Sequence, residues 1–290
     1  MTSLTIRQIK QQIQQLMSTE SAREWPSFWL TDWLLHVIDK PNLFLITDED
    51  YKLTESEQQQ FEAGVIKMQE GTPLAYLTGQ QAFWSLNFMV NKHTLIPRPD
   101  TEILIEQVLD WINAQPTQAQ SKYLLDLGTG SGCIAISLAH ELKKENWQVV
   151  AVDLSSEALD VAQHNATLNS VDNIEFIQSS WYDKLSIHDQ PLFDVIVSNP
   201  PYIDEADEHL AQLKAEPISA LSAPNHGLGD IEQIVQQATN HLCKNGLLAI
   251  EHGYDQGASV RQLFLDHGFE SVVTVQDYGG NDRVTLGQSQ

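Results

Sequence analysis

The sequence predicts an α/β protein in two parts: a small helical bundle, then a doubly wound, mostly parallel sheet closed by an antiparallel hairpin. Three observations carry that prediction. Apolar residues in roughly the first eighty positions recur every three or four residues, the spacing of one helix face. From residue 121 onward, short β-branched runs alternate with helix-length segments, the pattern of βαβ units. The last two such runs, residues 271–278 and 282–286, are joined only by Gly279-Gly280-Asn281, far too short for a parallel crossover.

In chain order, Ile6, Ile9, Ile13 and Leu16 form the stripe of a first helix, and Phe28, Trp29, Trp33, Leu34, Val37 and Ile38 that of a second. Thr54 and Glu57 are spaced as a capping box ahead of a third helix bearing Phe61, Val65 and Met68. These stripes are expected to meet as the core of a bundle over residues 1–80. The aromatic stretch 83–88, followed by residues 89–93, suggests a hairpin, so residues 81–98 are assigned to a hairpin linker and 99–290 to the sheet domain. Pro97 and Pro99 fix a rigid entry into a helix over residues 97–102, which would hold Arg98 and Asp100 near a pocket; Asp100 and Thr101 are expected to serve at least in part as its cap.

Residues 123–127 read as a buried strand running into Gly128-Thr129-Gly130-Ser131-Gly132, with a helix over about residues 133–142. The glycines alternate, unlike the dinucleotide pattern G-x-G-x-x-G, and no Gly-Lys-Ser/Thr of a P-loop follows. The next strand, residues 148–152, ends at Asp153, about twenty residues past the last glycine, where an acid can bind the two hydroxyls of a ribose. A ribose site beside a glycine turn without a diphosphate cradle suggests S-adenosylmethionine. Gly128, Thr129, Gly130, Ser131, Gly132 and Asp153 are therefore candidate cofactor residues.

A further apolar strand, residues 193–198, stops at Asn199-Pro200-Pro201-Tyr202, because two consecutive prolines lack the N–H groups that continue a central ladder. The stop falls at a strand's carboxyl end, where open α/β sheets place their ligands. The chemistry suits a planar nitrogen whose lone pair is delocalised. The Asn199 side-chain carbonyl and the Pro200 backbone carbonyl can each accept one of its N–H groups, and the Tyr202 ring can cover its face. Asn199, Pro200 and Tyr202 are the candidate catalytic residues; with Pro201 they are the candidate substrate site, and Asn199 also borders the cofactor. No strong base is required. Residues 203–229 lack periodicity and are expected to form a flexible flap over the pocket. A strand over residues 247–251 leads to His252, expected as a structural hydrogen-bonding residue. The terminal hairpin then matches the seven-stranded, Rossmann-like architecture of S-adenosylmethionine-dependent methyltransferases and does not match an NAD-binding domain.

Taken together, these motifs resemble the release factor glutamine methyltransferases, the PrmC/HemK family. The likeness spans nearly the whole chain and includes Leu95-Ile96-Pro97-Arg98-Pro99-Asp100-Thr101-Glu102, the Asp126 to Gly132 turn, Ala151-Val152-Asp153, Ser198 to Ile203, Glu251-His252-Gly253 and Asp277-Tyr278-Gly279 with Arg283-Val284. The resemblance implies methylation of the glutamine amide nitrogen (N5) in the Gly-Gly-Gln motif of class I peptide chain release factors, in support of translation termination. It implies that Gly128 to Gly132 and Asp153 hold S-adenosylmethionine with Trp181 beside the adenine, that Asn199 to Tyr202 hold the glutamine, and that the N-terminal domain helps grip the release factor. Ser180 stands where relatives often carry Asp, and Lys214 where they often carry the Arg of Arg-x-Glu-Pro. Asn-Pro-Pro-Tyr is shared with enzymes that methylate N6 of adenine or N2 of guanine, so an amino-group methyltransferase acting on RNA or DNA is the alternative.

A formal net charge of −23 argues against that alternative, since proteins that grip phosphates cluster Lys and Arg, and here the densest basic pair is Lys143-Lys144. A protein partner with a basic patch is the easier match. Cys133 and Cys243, both placed in helices and read as small buried hydrophobes, give no disulfide or zinc pattern, and the ten histidines show no ligand spacing, so no metal is expected. No run of about twenty apolar residues occurs, so the chain is expected to be soluble, cytoplasmic, unprocessed and monomeric, with no membrane contact.

Overall fold

A computed structural model describes residues 3–18, 26, 28–116, 121–143, 145–185 and 191–290. Lys144 lies outside the described residues. The chain divides into two compact units, Met1–Gly79 and Gln80–Gln290.

The first unit is helical, with α1 (Ile6–Met17), α2 (Trp29–Ile38), α3 (Phe44–Thr47), α4 (Glu55–Gln69) and α5 (Leu74–Thr78). Capping boxes start two of these. Thr54 and Glu57 satisfy each other's backbone N–H at the head of α4, and Thr5 and Gln8 do the same for α1, a pair the sequence reading passed over. Ile6, Ile9, Ile13, Trp33, Phe61 and Met68 share one buried cluster. The Trp33 indole N–H donates to the Phe61 carbonyl at 3.1 Å, which satisfies the one polar atom that ring brings into the core.

The second unit opens with the antiparallel hairpin β1 (Gln80–Phe83) and β2 (Leu86–Met89). There follow α6 (Glu102–Ala114), β3 (Lys122–Leu127), α7 (Cys133–Glu141), β4 (Trp147–Asp153), α8 (Ser156–Leu168), β5 (Ile174–Gln178) and β6 (Phe193–Ser198). After these come β7 (Ile203–Asp204), β8 (Ser222–Ala223), α9 (Gly229–Ala238), β9 (Leu242–Glu251), α10 (Gly257–Asp266), β10 (Glu270–Gln276) and β11 (Asp282–Gln288). Seven strands form one sheet in the order β10-β11-β9-β6-β3-β4-β5. β11 pairs antiparallel with both β10 and β9, and the other neighbours are parallel. The strand cores read as unbroken apolar runs because both faces are covered. Leu124, Val149, Val195 and Leu247 pack on the layer that includes Leu104 and Ile136, whereas Leu125, Val150, Ile196 and Leu248 pack on the layer that includes Ile234 and Phe264.

The structure changes some expectations and adds detail to others. Cys243 lies in β9, not in a helix, and both cysteines are only half-buried. A short 3-10 turn, Pro99–Thr101, precedes α6, and Thr101 makes no side-chain cap bond; its hydroxyl has other partners, described below. The segment expected as a flexible flap holds two 3-10 turns, Glu208–Gln212 and Ile218–Ala220, and the parallel β7·β8 pair. It is pinned by the buried Glu216, whose carboxylate accepts the Ile96 N–H at 3.0 Å and pairs with Arg98. His252 is buried, with Nε2 against Thr285 Oγ1 at 2.9 Å and Nδ1 donating to the Gly253 carbonyl, a neutral ring in a structural role. No helix of the described residues is long and apolar enough to cross a membrane.

Candidate active site

The chain runs β3, β4, β5 outward to one edge and then returns as β6 on the other side of β3. Connections leave in opposite directions at that point, and the carboxyl ends of the two strands part to leave a crevice. The pairing of Leu127 with Ser198 puts the glycine turn after β3 beside Asn199-Pro200-Pro201-Tyr202 after β6.

The glycine turn is shaped by backbone needs that only glycine meets. Gly128 has φ +72°, and a Cβ there would stand 3.3 Å from the Trp181 ring. Gly132, at φ +81°, would bring a Cβ to 2.7 Å from Ile136 Cδ1 and 3.1 Å from Ala162 Cβ, where the turn enters α7. The turn is nailed by the wholly buried Asp126, whose Oδ2 accepts from Thr129 Oγ1 at 2.7 Å and Ala135 N at 3.2 Å, while Oδ1 has no partner. Burial is the largest influence on that carboxyl and pushes it up to about 7. From the side, Asn165 on α8 gives its amide protons to the Ser131 and Met89 carbonyls, at 2.9 and 3.0 Å, and accepts the Met89 N–H, tying the hairpin to the turn. Asp153 ends β4 and takes the Gly130 N–H on one oxygen (2.8 Å) and the Ser155 N–H on the other (2.9 Å); its burial raises the pKa.

Gly128, Thr129, Gly130 and Ser131 line a cavity of about 570 Å³ that Asp153 and Trp181 also border. Gly132 does not line it and serves the turn. A second cavity of about 440 Å³ is bordered by Pro200 and Tyr202. Asn199 borders both, whereas Pro201 borders only the first. The first cavity fits a nucleoside-bearing cofactor: its size lies in the ordinary range for small-molecule sites, and a carboxylate and an aromatic ring border it. Asp230 at the start of α9 adds a carboxylate on the same wall, interacting with the Trp181 indole.

Behind Asn199 and Tyr202 lies a buried polar cluster that the sequence reading did not assemble. The Asn199 Nδ2 donates to Thr101 Oγ1 at 3.2 Å. The Tyr202 hydroxyl donates to Glu251 Oε1 at 3.2 Å. The Thr101 hydroxyl is close enough to stabilise the charged form of the same carboxylate, while Glu251 Oε2 has no formed hydrogen bond. The Tyr202 backbone carbonyl is held by Gln256 Nε2 at 2.9 Å. One signal did exist in the sequence: Glu251 is an acid ending the otherwise apolar run Leu247-Leu248-Ala249-Ile250, a place where an ionisable group needs a reason. Nothing local marks Asp230. Lys214 is exposed, and its neighbour Glu216 makes the contacts described above. Among the described residues no cluster of three or more His, Cys, Asp or Glu side chains is arranged to hold a metal ion.

The methyltransferase domain family matches residues 119–277, and the PrmC N-terminal domain family matches residues 8–79. The release factor glutamine methyltransferase of Aliivibrio fischeri is 44% identical over 257 residues, covering 88% of this chain and 87% of the relative. That of Escherichia coli is 42% identical over 282 residues, 97% of each chain. Among solved structures, a methyltransferase from Pyrococcus furiosus superposes with a TM-score of 0.51 at 15% identity over 78% of this chain and 98% of its own. The human methyltransferase 10 domain containing protein does so with a TM-score of 0.52 at 20% identity, over 70% and 87%. These last two speak for the fold alone.

Proposed function

We propose that this chain, which belongs to the release factor glutamine methyltransferase family, transfers a methyl group from S-adenosylmethionine to the side-chain amide nitrogen (N5) of the glutamine in the Gly-Gly-Gln motif of a class I peptide chain release factor, in support of translation termination. The observation that carries the reading beyond family membership is Asn199, which stands at the junction of the two cavities with its amide nitrogen engaged and its carbonyl oxygen left for a donor.

When bound, S-adenosylmethionine supplies an electrophilic methyl on a positively charged sulfur. The chain's own residues do the rest. The Gly128 to Ser131 turn, Asp153, Trp181 and Asp230 would hold the cofactor, the Asp153 carboxylate being the acceptor available to its ribose hydroxyls. The Asn199 and Pro200 carbonyls would accept the two amide N–H groups of the glutamine, which turns the nitrogen lone pair toward the methyl, and the Tyr202 ring would cover the amide plane. Leu95, Pro97 and Ala220 put apolar surface on the wall of the first cavity, which would favour a transfer that removes a charge. The helical first unit would dock the protein substrate. The enzyme would act as a cytoplasmic monomer without direct nucleic-acid contact, in keeping with a net charge of −23.

The test is a purified class I release factor incubated with the protein and S-adenosylmethionine, followed by intact mass and peptide mapping. One methyl on the Gly-Gly-Gln glutamine is the expected result. No gain there, with labelled methyl on co-incubated RNA, would replace this reading by the nucleic-acid one.

A further inference from the structure

Asn199 offers its carbonyl to a substrate only while its NH2 end faces Thr101. A threonine hydroxyl both donates and accepts, so alone it would tolerate the flipped amide equally well, donating to Oδ1 instead of accepting from Nδ2. The flip would set an NH2 against the NH2 of the substrate, donor against donor. What decides between the two is where the Thr101 proton goes.

We propose that Glu251 is the positioning residue of this site: its ionised carboxylate, which can only accept, draws the hydroxyl protons of Thr101 and Tyr202 and so fixes Asn199 with its carbonyl toward the substrate. The inference rests on the methyl-transfer reading above, in which Asn199 accepts an N–H. Glu251 ends β9, is 1% exposed, and is held in register opposite Val284 of β11. It already takes the Tyr202 proton at 3.2 Å, and its Oε2 keeps free acceptor capacity inside the protein. One carboxylate thus stands behind both side chains that would touch the planar amide.

The groups facing it set when it is ionised. Arg283 on β11 favours the charge, Asp100 before α6 opposes it, and the Thr101 and Tyr202 hydroxyls stabilise it. The Cys133 thiol at the start of α7 is itself pushed up by burial, with Asp126 and Glu251 adding to the shift, and so remains neutral beside it. Burial is the largest influence and pushes Glu251 up to about 7. A protonated carboxyl no longer demands the Thr101 proton, and the amide is then free to flip. The sign follows: turnover is supported above about pH 7 and declines as pH falls through it.

The experiment measures kcat and KM for the methyl acceptor from about pH 5.5 to 9, with cofactor affinity measured separately, in the wild type, E251Q, T101V and T101S. Gln offers a donor as well as an acceptor and cannot enforce the polarity at any pH. Expected are a wild-type acid limb near pH 7, a kcat lowered about twofold or more in E251Q and T101V with no acid limb, little change in KM or cofactor affinity, and near-normal turnover in T101S. Wild-type kcat and an unchanged acid limb in E251Q, or T101S as impaired as T101V, would overturn the proposal. Should the acceptor prove to be an RNA amino group, the release-factor reading fails, and the same series on that acceptor still decides this one, since an exocyclic amine needs the same carbonyl. Should E251Q not fold, the Asn199 side-chain NH2 resonances of the wild type decide: a shift with a midpoint near 7 supports the proposal, and a pair insensitive to pH sinks it.

Discussion

Asp126 and Glu251 are carboxyls that the fold buries before it finds them full partners, and each keeps one oxygen without a hydrogen bond. Both are pushed up to about 7, with burial as the largest influence. A carboxyl whose folded pKa exceeds its unfolded value holds extra protons in the native state, so its contribution to stability is full below the unfolded pKa and is lost as pH rises through the folded one. These two groups alone would lower the denaturation midpoint in urea between about pH 4 and pH 7, while the lowered pKa of the buried His252 acts in the opposite direction, so the comparison with a variant isolates the effect. D126N removes one titration, and its midpoint should fall less over the same range; a wild-type slope in D126N would mean that Asp126 is not the group responsible. Activity on the proposed reading moves the opposite way, since an ionised Glu251 is what orients Asn199. The site thus works best in the charge state that folding favours least, a familiar relation between strained polar groups and function.

At the scale of elements, the walls of the crevice come from segments far apart in the chain, and their attachments decide how well it holds its shape. Glu216 joins the segment after β7 to the segment before α6, accepting from Ile96 N and pairing with Arg98. E216A leaves a buried N–H unsatisfied and an arginine unpaired, a loss of about 1–3 kcal/mol. Hydrogen exchange should speed up around residues 95–98 and 213–223 while β3 and β4 keep their protection; uniform exchange changes would mean that Glu216 supports the whole fold and not this wall. The pairing also shows where sequence reading stops. The glycine turn, the Asn-Pro-Pro stop, the Thr54–Glu57 box and the closing hairpin were legible because each is a local rule written within ten residues or so. Thr101 was misread as a cap because the rule for caps is local too, while its partners Asn199 and Glu251 lie about 100 and 150 positions away. The segment before α9 lacks periodicity, and absence of a repeat suggests a flexible flap; among its attachments is one buried carboxylate whose partners precede it by more than a hundred residues.

At the scale of the whole molecule, each of the two units has its own core. The first unit buries its own cluster around Trp33, and the second buries a layer on each face of its sheet. Every residue lining either cavity falls within the second unit, between Lys92 and Gln233. If the first unit serves only to dock a protein substrate, residues 80–290 alone should fold, bind S-adenosylmethionine as the full chain does, and retain kcat at saturating release factor. KM for the release factor should rise about tenfold or more, which corresponds to about 1.4 kcal/mol of lost docking. A short Gly-Gly-Gln peptide, too small to use a docking surface, should be methylated equally well by both forms. The comparison distinguishes docking from structural support, because a first unit needed to shape the site would lower kcat and weaken cofactor binding for every substrate, peptide included. Salt adds a second reading of the same experiment. With a net charge of −23, attraction to a basic partner should weaken as ionic strength rises, so KM of the full chain for the release factor should climb with salt while KM for the peptide stays nearly level.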